Sequence, residues 1–101
     1  MPIAKKWSNF KKENVKEVPD IYGVYELANE AKSTVYIGEG KLRERLLAHF
    51  ASGRNPIPGV SYFRYEMTKS KKRCIQRQNA LLAKCKRKYG QLPKFNQKSR
   101  S

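Results

Sequence analysis

Residues 23–49, GVYELANEAKSTVYIGEGKLRERLLAH, decide the fold. Two runs rich in β-branched and aromatic residues, IYGVYEL at 21–27 and TVYIGE at 34–39, are each centred on a tyrosine and joined by the polar ANEAKS. Such runs read as two strands of a hairpin with a loop of moderate length. Gly38 and Gly40 are expected to break the second strand. From Lys41 the period changes: Leu42, Leu46 and Phe50 fall on one helical stripe, with Arg45 and His49 one turn apart beside it.

Upstream, residues 7–18 place Trp7, Phe10, Val15 and Val18 among lysines, a pattern of a short helix or an irregular arm, before Pro19 and Asp20 punctuate the chain. Downstream, SGRNPIPG is a loop too rich in proline and glycine for regular structure. SYFRYEM then alternates Phe63, Tyr65 and Met67 against Tyr62, Arg64 and Glu66 as a half-buried third strand. A long helix follows, with an expected inward stripe of Ile75, Gln78, Leu82, Cys85 and Tyr89 and with Gly90 as its C-terminal cap. Gln78 does not belong in an apolar stripe, because a buried amide is costly unless hydrogen-bonded; it marks a polar cluster or the edge of a site. The organisation expected is an arm or short helix over 1–20, one domain over 21–96, and a basic tail over 97–101.

At 101 residues there is room for one modest core. The net charge of +15 and pI near 10.1 exceed what solubility needs and point to a polyanion, nucleic acid before membrane. With 39% hydrophobic and 11% aromatic residues, the charge sits on a folded scaffold rather than a disordered tail. No run is apolar enough to span a bilayer and the first residues lack the core of a signal peptide, so an intracellular protein is expected. Cys74 and Cys85 lie three turns apart on one helix, too far for a disulfide, and read as small buried residues.

The order of a GVY strand, a YIG strand, the helix LRERLLAH, a distant helix and the ending PKFN resembles the GIY-YIG endonuclease domain over residues 21–96. The resemblance implies a small α/β (α+β) sandwich, a three-stranded antiparallel sheet flanked by helices. It carries the two tyrosines of that family onto Tyr25 and Tyr36, its glycines onto Gly23 and Gly38, its helix arginine onto Arg45, a following His or Tyr onto His49, and its late asparagine onto Asn96. Gly40 joins the glycines as strand punctuation or as a place where backbone approaches phosphate. The glutamate that binds the family's single metal falls on Gln78. No acidic residue follows Glu66, so no neighbouring carboxylate on that helix can take the role.

What the resemblance implies is cleavage of DNA phosphodiesters with one Mg2+ or Mn2+ ion, bound weakly or not at all because of Gln78. Tyr36 would take a proton from water beside Tyr25, Arg45 would fork onto phosphate oxygens, His49 would share proton transfer or hold phosphate, and Asn96 would orient the site. A free phenol, with a pKa of about 10, is a poor base unless a cation lowers it. Arg54, Lys69, Lys71, Lys72, Arg73 and Arg77 are the expected nucleic-acid contacts. Two other readings stay open: a non-catalytic DNA-binding module, and a basic RNA-associated structural protein. The oligomeric state is open too.

Overall fold

The computed structural model describes residue 3 and residues 6–97. Lys98 and Arg100 of the expected basic tail lie outside them. Five runs carry most of the architecture: strands β1 (Ser8–Asn9), β2 (Tyr22–Ala28), β3 (Thr34–Lys41) and β4 (Tyr62–Met67), and helix α3 (Lys71–Tyr89). Two short helices, α1 (Lys12–Val15) and α2 (Leu42–Ala48), and a 3-10 turn at Lys94–Asn96 complete it.

The sheet has four strands in the order β1-β4-β2-β3, all neighbours antiparallel, rather than the three expected. The extra strand is Ser8–Asn9, paired with Tyr62 and Phe63, inside the segment expected to be a helix or an arm. Two residues are too few to show a period, so only the pairing partner reveals them. Residues 8–18 are part of the core as well: Val15 and Val18 are buried, and Phe10 stacks on Phe50 with ring centres 4.1 Å apart.

The pleat sorts the side chains onto two faces. On one, Tyr25, Leu27 and Phe63 pack with Val15, Leu42 and Leu46 beneath α1 and α2. On the other, Val24 and Ile37 pack with Cys74 and Leu81 of α3. Because both faces of β2 are covered, residues 23–28 are buried without a break, and the half-buried alternation shown by a strand with one wet face is absent.

Two expectations about register are corrected. β3 runs through Gly38 and Gly40 to Lys41, its partners continuing to Gly23 and Tyr22, so neither glycine ends the strand. Along α3 the inward stripe is Cys74, Gln78, Leu81 and Cys85, while Ile75 and Tyr89 are exposed. The stripe expected from sequence was thus rotated, because a helix so rich in lysine offers two overlapping apolar stripes and only the sheet selects one. Gln78 stays on the inward side in either register. Gly90 closes α3 in the left-handed conformation, φ 79°, as expected of a C-terminal glycine.

Candidate functional site

Tyr25 and Gly38 sit opposite each other in the β2–β3 ladder and therefore project from the same face. The phenol of Tyr25 lies directly over Gly38, where a β-carbon would come within 2.3 Å of the ring's Cζ and hydroxyl. This close approach explains why a GVY run faces a YIG run: the glycine is the space into which the tyrosine folds. Gly23 makes similar room, since a β-carbon there would meet the carbonyl of Glu66 at 2.5 Å. Gly40 has φ +129°, and a β-carbon on it would lie 3.0 Å from Arg45 Nε, so the Arg45 side chain rests against the strand backbone at the mouth of the cluster.

Beneath the ring of Tyr25 is His49, buried at the end of α2. Its Nδ1 lies 2.8 Å from the carbonyl oxygen of Asn55, and its Nε2 lies 2.6 Å from the Tyr25 hydroxyl. A carbonyl can only accept, so Nδ1 carries a proton. In the neutral ring Nε2 is therefore the acceptor, and Tyr25 donates to it. Tyr36 packs beside both, its ring centre 6.2 Å from that of Tyr25 and 5.1 Å from that of His49. Tyr25 is buried, Tyr36 half-buried and Arg45 exposed, so the cluster grades from an enclosed phenol to an open cation.

Burial pushes the Tyr25 phenol well above its ordinary pKa, with the neighbouring Tyr36 and Glu39 adding to the rise and Arg45 opposing it. Burial also raises Tyr36; Arg45 pulls it down and Glu39 pushes it up. Both phenols are thus protonated at neutral pH, and Arg45 alone does not make either of them a base.

Gln78 reaches the site from the other side. Its Nε2 donates to the carbonyl of Ile37 at 3.2 Å. Asn96 completes the same backbone unit: its Oδ1 accepts from Ile37 N at 2.8 Å and its Nδ2 donates to Ile37 O at 3.0 Å. Because β3 is an edge strand, the outward amide and carbonyl of Ile37 lack a strand partner, and these two carboxamides take its place. Asn96 therefore ties down the strand between Tyr36 and Gly38.

This donor set does not fit a tightly held hard dication, which prefers anionic oxygen. Gln78 presents an amide N–H to a carbonyl, an interaction open to glutamine and closed to an ionised glutamate. The carboxylate whose charge reaches the tyrosines is Glu39, and its Oε1 is 3.2 Å from Cys74 Sγ on the α3 side of the sheet. Among the described residues no three His, Cys, Asp or Glu side chains come together as a metal cluster.

The expected nucleic-acid contacts divide. Arg54, Lys69, Lys71, Lys72 and Arg73 are exposed. Arg77 instead forks onto Glu66, Nε to Oε2 at 2.8 Å and Nη2 to Oε1 at 3.1 Å, against the sheet. Three participants had no signal in the sequence: the carbonyl of Asn55, the backbone of Ile37 and the charge of Glu39. Main-chain atoms leave no mark in composition, and a single carboxylate among lysines does not reveal which side chains its charge will face.

The sheet, the tyrosine pair on adjacent strands and the arginine and histidine of the following helix define a small mixed α/β domain with the GIY-YIG fold. The chain superposes on the GIY-YIG N-terminal endonuclease domain of UvrC from Thermotoga maritima, solved with its catalytic magnesium, with a TM-score of 0.63 and 21% identity over 84% of this chain and 93% of that one. A point mutant of the same domain gives a TM-score of 0.62 at 20% identity, over 86% and 94% of the two chains. No curated protein matches. The chain belongs to the family described as a domain of unknown function, DUF7508, whose model matches residues 1–88.

Proposed function

We propose that this chain is a DNA-binding domain of the GIY-YIG nuclease type, which grips a phosphodiester at Tyr36 and Arg45 and whose hydrolytic power is limited by Gln78. The observation that carries this reading is the Tyr25–His49 hydrogen bond of 2.6 Å, set beside Tyr36 and within reach of the Arg45 charge. A sheet that needed only apolar filling would not bury a phenol against an imidazole whose tautomer is fixed by a carbonyl.

The roles follow from the gradation of exposure. Arg45, at the open end, offers a guanidinium fork to the non-bridging oxygens of a phosphate. Tyr36, protonated at neutral pH, donates a further hydrogen bond to them. Behind it, the Tyr25 proton is poised to pass to His49 Nε2 when a proton arrives on the phenol oxygen. Lys71, Lys72 and Arg73 open α3 just after Lys69, with no acid in the first turn, although cations are unfavourable at a helix N-terminus. That placement is rewarded when they face a polyanion, and DNA, on which the likeness to UvrC bears, is the polyanion proposed. The UvrC domain holds a catalytic divalent cation; Gln78, onto which the family resemblance carries the metal ligand, would offer such an ion only a weak, neutral oxygen.

A second reading, a phosphate-gripping module without turnover, is favoured by one observation: Gln78 is hydrogen-bonded to Ile37 as a structural side chain. One experiment separates the two. DNA duplexes are titrated by fluorescence anisotropy at rising salt and then incubated with magnesium or manganese, using this chain, Arg45→Ala and Gln78→Glu. The nuclease reading expects affinity to fall by orders of magnitude between about 50 and 200 mM salt if six or more phosphates are contacted. It also expects slow cutting that Gln78→Glu accelerates and Arg45→Ala abolishes. Binding without cutting by either the parent or Gln78→Glu leaves the module; salt-insensitive or absent binding overturns both.

A further inference from the structure

On the α3 side of the sheet, away from the tyrosine cluster, two adjoining cavities of about 290 and 690 Å3 share Thr34, Arg64, Cys85 and Tyr89 and so form one groove. Their size falls in the roughly 300–1,000 Å3 range of small-molecule sites. The floor is the Glu26–Arg64 ion pair, 2.5 Å long and largely buried. Arg64 also stacks its guanidinium 4.0 Å from the centre of the Trp7 ring. At the far wall Tyr89, in the last turn of α3, is 67% exposed, a large aromatic left in solvent beside Lys88. The rim carries Lys32, Lys84, Lys88 and Lys94.

None of these features serves the phosphodiester site. An exposed tyrosine ring, a half-buried tryptophan backed by a planar cation and ammonium groups along the edges are what an unpaired nucleic-acid strand requires: ring faces for its bases and cations for its backbone. Duplex DNA does not offer base faces, because they are stacked on one another. The one carboxylate at the floor is neutralised by Arg64, and the chain has no acidic residue beyond Glu66 to repel a phosphate along α3.

We propose that this groove binds a single-stranded nucleic-acid segment, with a base stacked on Tyr89 and a neighbouring base against Trp7, while the lysines of the rim hold the backbone phosphates. The proposal rests on the nucleic-acid reading given above and adds a second contact surface, specific for unpaired bases. A chain with this groove engages strand ends, flaps or unwound segments in preference to a continuous duplex.

Trp7 is the sole tryptophan, so its fluorescence reports on the groove without a label. Titration with oligothymidylate should quench it, whereas an oligomer of the same length with a base-less backbone should bind more weakly and leave it bright. Tyr89→Ala should weaken oligothymidylate binding roughly ten- to a hundredfold, the effect of losing one stacked base, and Tyr89→Phe should keep the affinity. Equal affinity for the base-less oligomer, or an unchanged affinity in Tyr89→Ala, overturns the proposal. If oligothymidylate leaves Trp7 unchanged while blunt duplex still binds in a salt-dependent way, the groove assignment fails and the nucleic-acid reading stands. If neither binds at low salt, both fail. Sedimentation as a dimer that Tyr89→Ala dissociates would assign the groove to a second copy of the chain instead.

Discussion

The hydroxyl of Tyr25 occupies the volume that a side chain on Gly38 would fill, the two residues facing each other across the β2–β3 ladder. The buried phenol and the bare strand are therefore one unit, and the geometry of the site depends on the missing methyl group as much as on the ring.

Gly38→Ala should accordingly destabilise the fold by about 1–3 kcal/mol, the range of an overpacked core position. The ring must leave its pocket, breaking its bond to His49. Urea unfolding would read the loss, and Gly38→Ala in a Tyr25→Ala background should cost much less because the clash is gone. Equal costs in the two backgrounds would show that the contact is not what demands glycine.

Gln78→Glu removes one of the two N–H groups that the Ile37 carbonyl accepts and sets a carboxylate against that carbonyl oxygen. Without metal the variant should lose about 1–3 kcal/mol. Magnesium or manganese should recover part of that loss as a rise in melting temperature, an effect absent from the parent chain. A variant that unfolds at the parent's temperature with no response to either ion would place residue 78 away from any cation site.

Asn96 is the test of the strand edge. Asn96→Ala strips the outward N–H and C=O of Ile37 of a shared partner and should cost about 1–3 kcal/mol. Amide exchange at Ile37 should quicken, since its hydrogen bond to Oδ1 is lost. Asn96→Asp, which accepts but cannot donate, should keep Ile37 N–H protected and still lose stability. Uniform protection in all three chains would mean that the turn at Lys94–Asn96 does not guard this edge.

The raised Tyr25 phenol predicts an alkaline limit. The unfolded chain releases this proton near its ordinary value of about 10, while the folded chain holds it to higher pH. Stability from this group is thus fully present below that pH and is lost as pH climbs from there toward the folded value. Unfolding midpoints should fall more steeply above pH 10 in the parent than in Tyr25→Phe, with tyrosinate absorbance rising at the transition. Parallel curves would remove Tyr25 from the alkaline transition.

Arg54, Lys69 and Lys72 are exposed and Arg77 is ion-paired, so their substitutions should separate. Replacing Lys69 and Lys72 together by alanine should weaken duplex binding and reduce the slope of log affinity against log salt by about two, with little effect on stability. Arg77→Ala should do the reverse, lowering stability by up to about 1 kcal/mol as a partly exposed ion pair is lost, with the salt slope changed little. A salt slope equally altered by both would mean that the Arg77–Glu66 pair opens when nucleic acid binds.

The resemblance to the GIY-YIG family singled out Tyr25, Tyr36, Arg45 and His49, and the sequence by itself determined the hairpin, the following helix and the cap of α3 at Gly90. Those features are local: period, turn chemistry and spacing along the chain fix them before anything packs. It also exposed Gln78 as a polar residue on an inward stripe. Tertiary structure alone decided what that residue does, because the carbonyl it meets lies 41 positions away in sequence, on an edge strand that only sheet order defines. The same holds for Ser8–Asn9, too short to signal a strand until β4 lies beside them, and for α3, whose two overlapping apolar stripes are chosen between by Val24 and Ile37. The tautomer of His49 rests on a main-chain oxygen, and Glu39 acts on the phenols through space; neither a backbone atom nor a distance across a fold is written in residue types.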